Sequence, residues 1–147
     1  MPAPYMPPFG VNIDLIDGIM DKPDRHLKRP ASVMRGYYAD EAALERLIGG
    51  QGDPLHYETF EKDTSETYGH LVFCISKLLP GKVGLEYFMT KGHYHTVAHT
   101  GEIYLCLKGE GYMLMKTQDG RFHAEPMRKN TMIYVPPYWA HRSVNTG

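Results

Sequence analysis

From His56 onward the chain alternates between short apolar runs and turn sequences. The runs fall at residues 71–79, 85–90, 102–108, 112–117, 122–127, 131–135 and 141–144. Between them stand Pro80-Gly81-Lys82-Val83-Gly84, Gly109-Glu110-Gly111, Gln118-Asp119-Gly120-Arg121 and Pro136-Pro137. Glycine in such turns supplies a positive φ and proline fixes a negative one. Asp119-Gly120 is a strong hairpin signal. Strands this short, this closely spaced and without helices between them predict an antiparallel sandwich or barrel. The expected fold class is all-β: a small jelly-roll β-barrel over residues 51–147.

The first third reads differently. Residues 1–9 are proline-rich and predict a lead-in that packs on the body rather than a helix. Val11-Asn12-Ile13-Asp14-Leu15 alternates as an edge strand does. Residues 40–48 give the one helix: Asp40 is the N-cap, Leu44, Leu47 and Ile48 form an apolar stripe, and Gly49-Gly50 ends it. That stripe needs a sheet to cover, so arm and helix (residues 1–50) should lie outside the barrel as part of one domain spanning 1–147.

Composition narrows the class. The 147 residues are 42% hydrophobic and 22% charged, with a formal net charge of -1, so nothing suggests a nucleic-acid or anionic-membrane partner. No apolar run reaches the length of a membrane span, and the N-terminus lacks the pattern of a signal peptide. Cys74 and Cys106 lie in apolar runs and read as buried free thiols, which fits a cytoplasmic protein. The basic cluster Lys22, Arg25, His26, Lys28, Arg29 and Arg35 reads as a solvated face, with an anion-facing patch as the sharper alternative. Met113, Met115, Met127 and Met132 read as core filler, Trp139 as the anchor of the Pro-Pro turn, and Arg142 as a surface or interface charge.

The candidate chemistry sits in Thr90-Lys91-Gly92-His93-Tyr94-His95-Thr96-Val97-Ala98-His99-Thr100-Gly101-Glu102. Histidines at i and i+2 of an extended chain point the same way, so His93 and His95 can reach one point in space. Imidazoles with a carboxylate are the ligand set of zinc, iron, manganese or nickel. Glu102 opens the next run after a turn-like Thr100-Gly101, and His141 follows the rigid Pro136-Pro137. A His-x-His pair by itself usually marks exposed or hydrogen-bonded imidazoles. The added carboxylate and the distant histidine make a divalent metal site the better reading. His99, in the turn, is a solvated histidine or a spare ligand. If strict alternation held from residue 85 to His95, Tyr87, Met89, Lys91, His93 and His95 would line the interior. Lys91-Gly92 can break that register, which leaves Thr90 and Lys91 both as candidates for the pocket mouth.

Gly92-His93-x-His95, then Glu102 and Gly109, then Pro136-x-x-x-x-His141-x-x-x-Asn145 resemble the two cupin motifs, although Tyr87 and Tyr138 stand where a generic cupin carries glycine. The fuller pattern, Pro80-Gly81-Lys82-Val83-Gly84-x-Glu86-x-x-x-Thr90-Lys91-Gly92-His93-x-His95 with Glu102-x-Tyr104 and Tyr134-Val135-Pro136-Pro137-Tyr138-Trp139-Ala140-His141-Arg142-x-Val144-Asn145, resembles the cupin-type phosphoglucose isomerases of archaea and some bacteria. The resemblance implies a cupin homodimer built partly by exchange of N-terminal strands. It implies one divalent metal per subunit, iron before manganese, nickel or zinc, held by His93, His95, Glu102 and His141. The implied substrate is a sugar phosphate, contacted by Ser76, Thr90 and Gly92 at the phosphate and by Tyr57 and Tyr104 along the sugar; beyond the resemblance, Lys91 is a candidate point charge for the phosphate. Family members run some tens of residues further, so C-terminal strands of the family are expected to be missing here.

The implied reaction interconverts glucose 6-phosphate and fructose 6-phosphate, with Glu102 as the base, since it is the only acidic residue in the block. A cis-enediolate route and a metal-assisted hydride shift use the same ligands. Two other readings fit part of the pattern. A metallocupin dioxygenase or another sugar isomerase would share the ligands, and a non-catalytic sugar-binding cupin would share the fold.

Overall fold

The computed structural model describes residues 6–64 and 69–147. The lead-in packs as expected where it is described, with Phe9 stacked on Phe73 at 6.1 Å between ring centroids. The edge strand expected over residues 11–15 shrinks to β1 (Ile13–Asp14), paired with β2 (Ile19–Met20). Asp14 curtails it: its Oδ1 accepts from the amides of Ile16 and Asp17, a side-chain turn that competes with extension.

Strand β3 (Arg25–Pro30) carries much of the basic cluster and pairs with β4 (Leu55–Glu61), which pairs in turn with β5 (Cys74–Leu78). Two of those bases have carboxylate partners, Arg25 with Glu61 at 3.1 Å and His26 with Glu58 at 2.7 Å. Phe60 and Ile75, opposite one another, bury their side chains under Met20 of the arm.

Helix α1 (Glu41–Gln51) starts as read, with Asp40 accepting from the Ala43 amide at 2.8 Å. It does not stop at Gly49-Gly50. It runs on to Gln51, and Gly52 takes the left-handed cap at φ 67 while the Asp53 amide bonds back to Ile48 O. Two glycines weaken a helix but break it only where φ must turn positive. Leu44, Leu47 and Ile48 pack on a cluster that includes Ala31, Met34, Tyr38, Tyr57, Val83, Phe88 and Met89.

The run expected over residues 85–90 is not one strand. Strands β6 (Lys82–Val83) and β7 (Glu86–Tyr87) form a tight hairpin that leaves Leu85 94% exposed. Phe88 and Met89 are consecutive and both buried, so alternation stops there, and Tyr87 is exposed rather than inward.

Beyond the histidines, β8 (Glu102–Leu105) pairs with β11 (Met132–Val135), while β9 (Glu110–Lys116) lies between β10 (Phe122–Arg128) and β12 (Ala140–Asn145). The Asp119-Gly120 hairpin sets Phe122 opposite Lys116, with Gly120 at φ 90. Met113 and Met115 are buried with Ile133 and Val135, and Met127 and Trp139 pack on them. Met132 is corrected: it alternates with buried Ile133 and so points outward opposite Leu105, 65% exposed. The cysteines are corrected too. Both are free, but Cys74, the first residue of β5, is exposed, and Cys106, just past the end of β8, is only partly covered.

The domain is all-β and cupin-like with a single α-helix. Among the described residues its ladders form five small sheets and not a closed hydrogen-bonded ring. No described helix is long and apolar enough to cross a membrane.

Candidate metal centre

Four side chains from three parts of the fold converge. One donor atom each from His93, His95, Glu102 and His141 lies within 4.8 Å of every other. His93 and His141 are paired backbone to backbone, N–H to O in both directions at 3.2 and 3.1 Å. Glu102 is the first residue of β8, and the loop 96–101 returns the chain to the cluster. That loop is tied down by the Tyr138 amide, which donates to Ala98 O at 2.8 Å. Tyr138 adopts φ 70 without being glycine, a conformation that costs about a kilocalorie per mole or more and that the Pro136-Pro137 turn must hold.

Glu102 Oε2 sits 2.9 Å from His95 Nε2 and 2.9 Å from His141 Nε2. His141 is 3% exposed, and its Nε2 is fully buried without a hydrogen-bond partner although the Glu102 carboxylate lies 2.9 Å away. A buried, unsatisfied imidazole nitrogen facing two other imidazoles and a carboxylate is costly for a protein alone and natural for a ligand atom. The residues fit a divalent metal on that observation.

Burial works to raise the Glu102 carboxyl, but contacts from the His141 and His95 imidazoles and from the Tyr104 hydroxyl outweigh it and hold the pKa down at about 2. Tyr104, on the same face of β8 two residues on, has its phenol pushed far up by burial and by the Glu102 charge. The Cys74 thiol adds to that shift. His95 is oriented from behind: its Nδ1 lies 3.0 Å from Thr100 O and 3.1 Å from Thr100 Oγ1. A metal-binding imidazole is commonly fixed in this way.

Ser76 lies two residues beyond Cys74 on the same face of β5, opposite Thr59. Tyr57 shares that face through β4 and is 7% exposed within the core. Thr90 bonds to β12 through its own amide to Ser143 O and through its Oγ1 from the Ser143 amide, both at 3.0 Å. Gly92 turns through φ 74 beside His141. Lys91 holds its ammonium 5.3 Å above the Tyr37 ring. Met89, expected to face inward, is buried in the core instead. His99 is exposed and outside the cluster.

Two residues at the centre escape a reading of the sequence. Thr100 looks like half of a turn, and only its spacing of five from His95 hints at a partner. Arg142 is corrected from a surface charge: it is half-buried, and donates to Lys91 O at 3.0 Å and to Met89 Sδ at 3.1 Å.

The class that emerges is a cupin-like all-β domain in which three histidines and a glutamate come together as a candidate metal centre. Comparison with known proteins makes the assignment specific. The family model for glucose-6-phosphate isomerase (GPI) matches residues 28–147. A glucose-6-phosphate isomerase of Thermococcus gammatolerans is 50% identical over 143 residues, 97% of this chain and 74% of the relative. That of Thermococcus litoralis is 45% identical over the same shares. A putative glucose-6-phosphate isomerase 1 of Rhizobium meliloti is 40% identical over 95% of this chain and 65% of its own length. The chain belongs to the glucose-6-phosphate isomerase family.

Proposed function

We propose that the chain is a metal-dependent isomerase that interconverts glucose 6-phosphate and fructose 6-phosphate. The observation that carries the metal dependence is the orphaned His141 Nε2 among His93, His95 and Glu102. Those four residues would hold one divalent ion per subunit, with iron the first candidate and manganese, nickel or zinc accepted by the same donors. Bound there, such an ion would supply positive charge to stabilise the oxyanion that develops beside the reacting carbon.

The remaining steps belong to the chain. Thr90, Ser76 and the Gly92 amide offer donors without bulk to a phosphate, and Lys91 can turn from Tyr37 to add a charge. Holding the phosphate fixes the reacting carbons at the cluster. Glu102, ionised and within the cluster, takes the proton from the carbon beside the carbonyl and returns it to the neighbouring carbon, while the hydroxyl proton passes from one of the two oxygens to the other. The Tyr104 phenol, far too weak an acid to ionise, stays a hydrogen-bond donor to Glu102 and steadies it between those two events. Tyr57 supplies the wall along the sugar.

The test is a coupled assay of fructose 6-phosphate conversion on protein stripped by a chelator and reloaded metal by metal, run in deuterated water. Activity restored by a divalent ion with deuterium entering the product supports both metal and proton transfer. Restored activity with no deuterium at C1 or C2, and nevertheless retained by Glu102→Gln, replaces the proton route with a hydride shift. Oxygen consumption in place of isomerisation would turn the reading to a dioxygenase.

We also read the protein as a homodimer. Leu15 and Ile16 of the arm are 59% and 74% exposed, and Ile103, Leu105, Met132 and Tyr134 make an open apolar face across β8 and β11, surfaces a second copy would cover. Light scattering giving the mass of one chain would end that reading.

A further inference from the structure

The segment before His93 runs antiparallel to β12, but the two sides do not keep step. Met89 pairs with Val144 and His93 pairs with His141, so four steps on one side match three on the other. Thr90 still bonds to Ser143 in regular register. The extra residue therefore lies in Lys91-Gly92, set against Arg142 alone. This is a β-bulge, and it has a geometric consequence. Without it, the face that carries Thr90 would continue through Gly92 and Tyr94, and His93 and His95 would point away. With it, Thr90, His93 and His95 share the side of His141.

A bulge leaves backbone groups outside the ladder, and those need partners. Here the Lys91 carbonyl is taken by Arg142 Nη2 at 3.0 Å, and Nη1 reaches Met89 Sδ at 3.1 Å. The stem of the same arginine fills the space beside Gly92: a Cβ on Gly92 would lie 2.9 Å from Arg142 Cβ, 2.9 Å from His141 O and 3.2 Å from Arg142 Nε. Arg142 has no carboxylate within ion-pair distance among the described residues. Among the described residues, both of its side-chain hydrogen bonds go back to the 89–92 segment.

We propose that Arg142 is a positioning residue for the metal centre: it stabilises the Lys91-Gly92 bulge, and the bulge swaps the facing of the strand so that His93 and His95 join Thr90 and His141 on one side. Arg142 neighbours His141 in β12 and so points to the opposite face, away from the donors. It acts through the backbone, not on the substrate. The inference rests on the metal reading for its consequence but not for its structural content, and the experiment separates the two.

The variants are Arg142→Met, which keeps the stem and removes every donor, and Arg142→Lys, which keeps one donor within reach of Lys91 O. Hydrogen exchange of the metal-free protein reads the bulge directly at the His93 and His141 amides. Zinc alone, in competition with a chromogenic chelator, reads the centre. Arg142→Met should speed exchange at the His93 amide at least tenfold with little change at β9 amides, and weaken zinc about 10- to 100-fold, the usual cost of losing support behind a ligand. Arg142→Lys should recover most of both. Unchanged exchange at His93 in Arg142→Met overturns the proposal whatever the zinc result. So does faster exchange throughout the domain that lysine does not repair, which marks a general packing role. If exchange behaves as expected but neither wild type nor variant binds zinc, the positioning of the bulge stands and the metal reading falls.

Discussion

His93 and His141, forty-eight positions apart in the sequence, exchange both backbone hydrogen bonds, at 3.2 and 3.1 Å. The pairing fixes the two imidazoles with ring centroids 4.7 Å apart. It also joins the motif block that opens the centre to the one that closes it. The hinge of the arrangement is Gly92, which must be left-handed and must pass close to β12.

Gly92→Ala should therefore damage the centre before it damages the fold. A left-handed alanine costs roughly 1–2 kcal/mol, and its Cβ meets His141 O and Arg142 Cβ at 2.9 Å. We expect a stability loss of about that size by chemical denaturation, with metal affinity down at least tenfold by chelator competition. Full affinity in a folded variant would show that the backbone tolerates a side chain there.

Glu102→Gln keeps the shape of the side chain and removes its charge. Activity should fall by roughly 10²–10⁴-fold, the range for losing a positioned base, while the circular dichroism spectrum stays that of the wild type. A variant within tenfold of wild-type turnover would assign the proton transfer to another group.

His141→Ala removes the buried nitrogen that has no partner, and His99→Ala removes an exposed histidine of the loop. Metal analysis after dialysis should give a large drop in metal per chain for His141→Ala and none for His99→Ala. Equal retention by both would take His141 out of the ligand set.

His56 supplies a pH dependence away from the metal. It is fully buried, stacked on Phe88 with centroids 3.6 Å apart, and its Nε2 lies 2.6 Å from Tyr38 Oη. Burial pushes its pKa down from 6.5 to about 4, against a small opposing pull from Asp53. The folded state then stays neutral where the unfolded chain takes a proton. Its contribution is complete above pH 6.5 and fades as pH falls toward 4, by about 3 kcal/mol at most. Denaturation midpoints at pH 7.5, 6 and 5 should trace that loss, and His56→Gln should flatten it. The same slope in the variant would place the titrating group elsewhere.

Asp40 caps α1 through the Ala43 amide. Asp40→Ala should cost about 1 kcal/mol and Asp40→Asn much less, since asparagine caps nearly as well. Equal losses in the two variants would point to charge, not capping.

Much of the centre was legible from local pattern. His93-x-His95 on extended chain, the carboxylate opening β8 and the histidine after Pro136-Pro137 are statements about residue type and short spacing, and they hold because side-chain direction alternates within a strand. The Asp119-Gly120 hairpin and the Asp40 cap are equally local, since each turn or cap is made by atoms a few residues apart. What only the tertiary structure decided is where alternation fails. The extra residue at Lys91-Gly92 cannot be read within one segment, because register is a relation between two stretches of backbone. Thr100 behind His95 and Arg142 behind the bulge became visible for the same reason: each answers a hydrogen-bonding need that exists only once distant segments have been brought together.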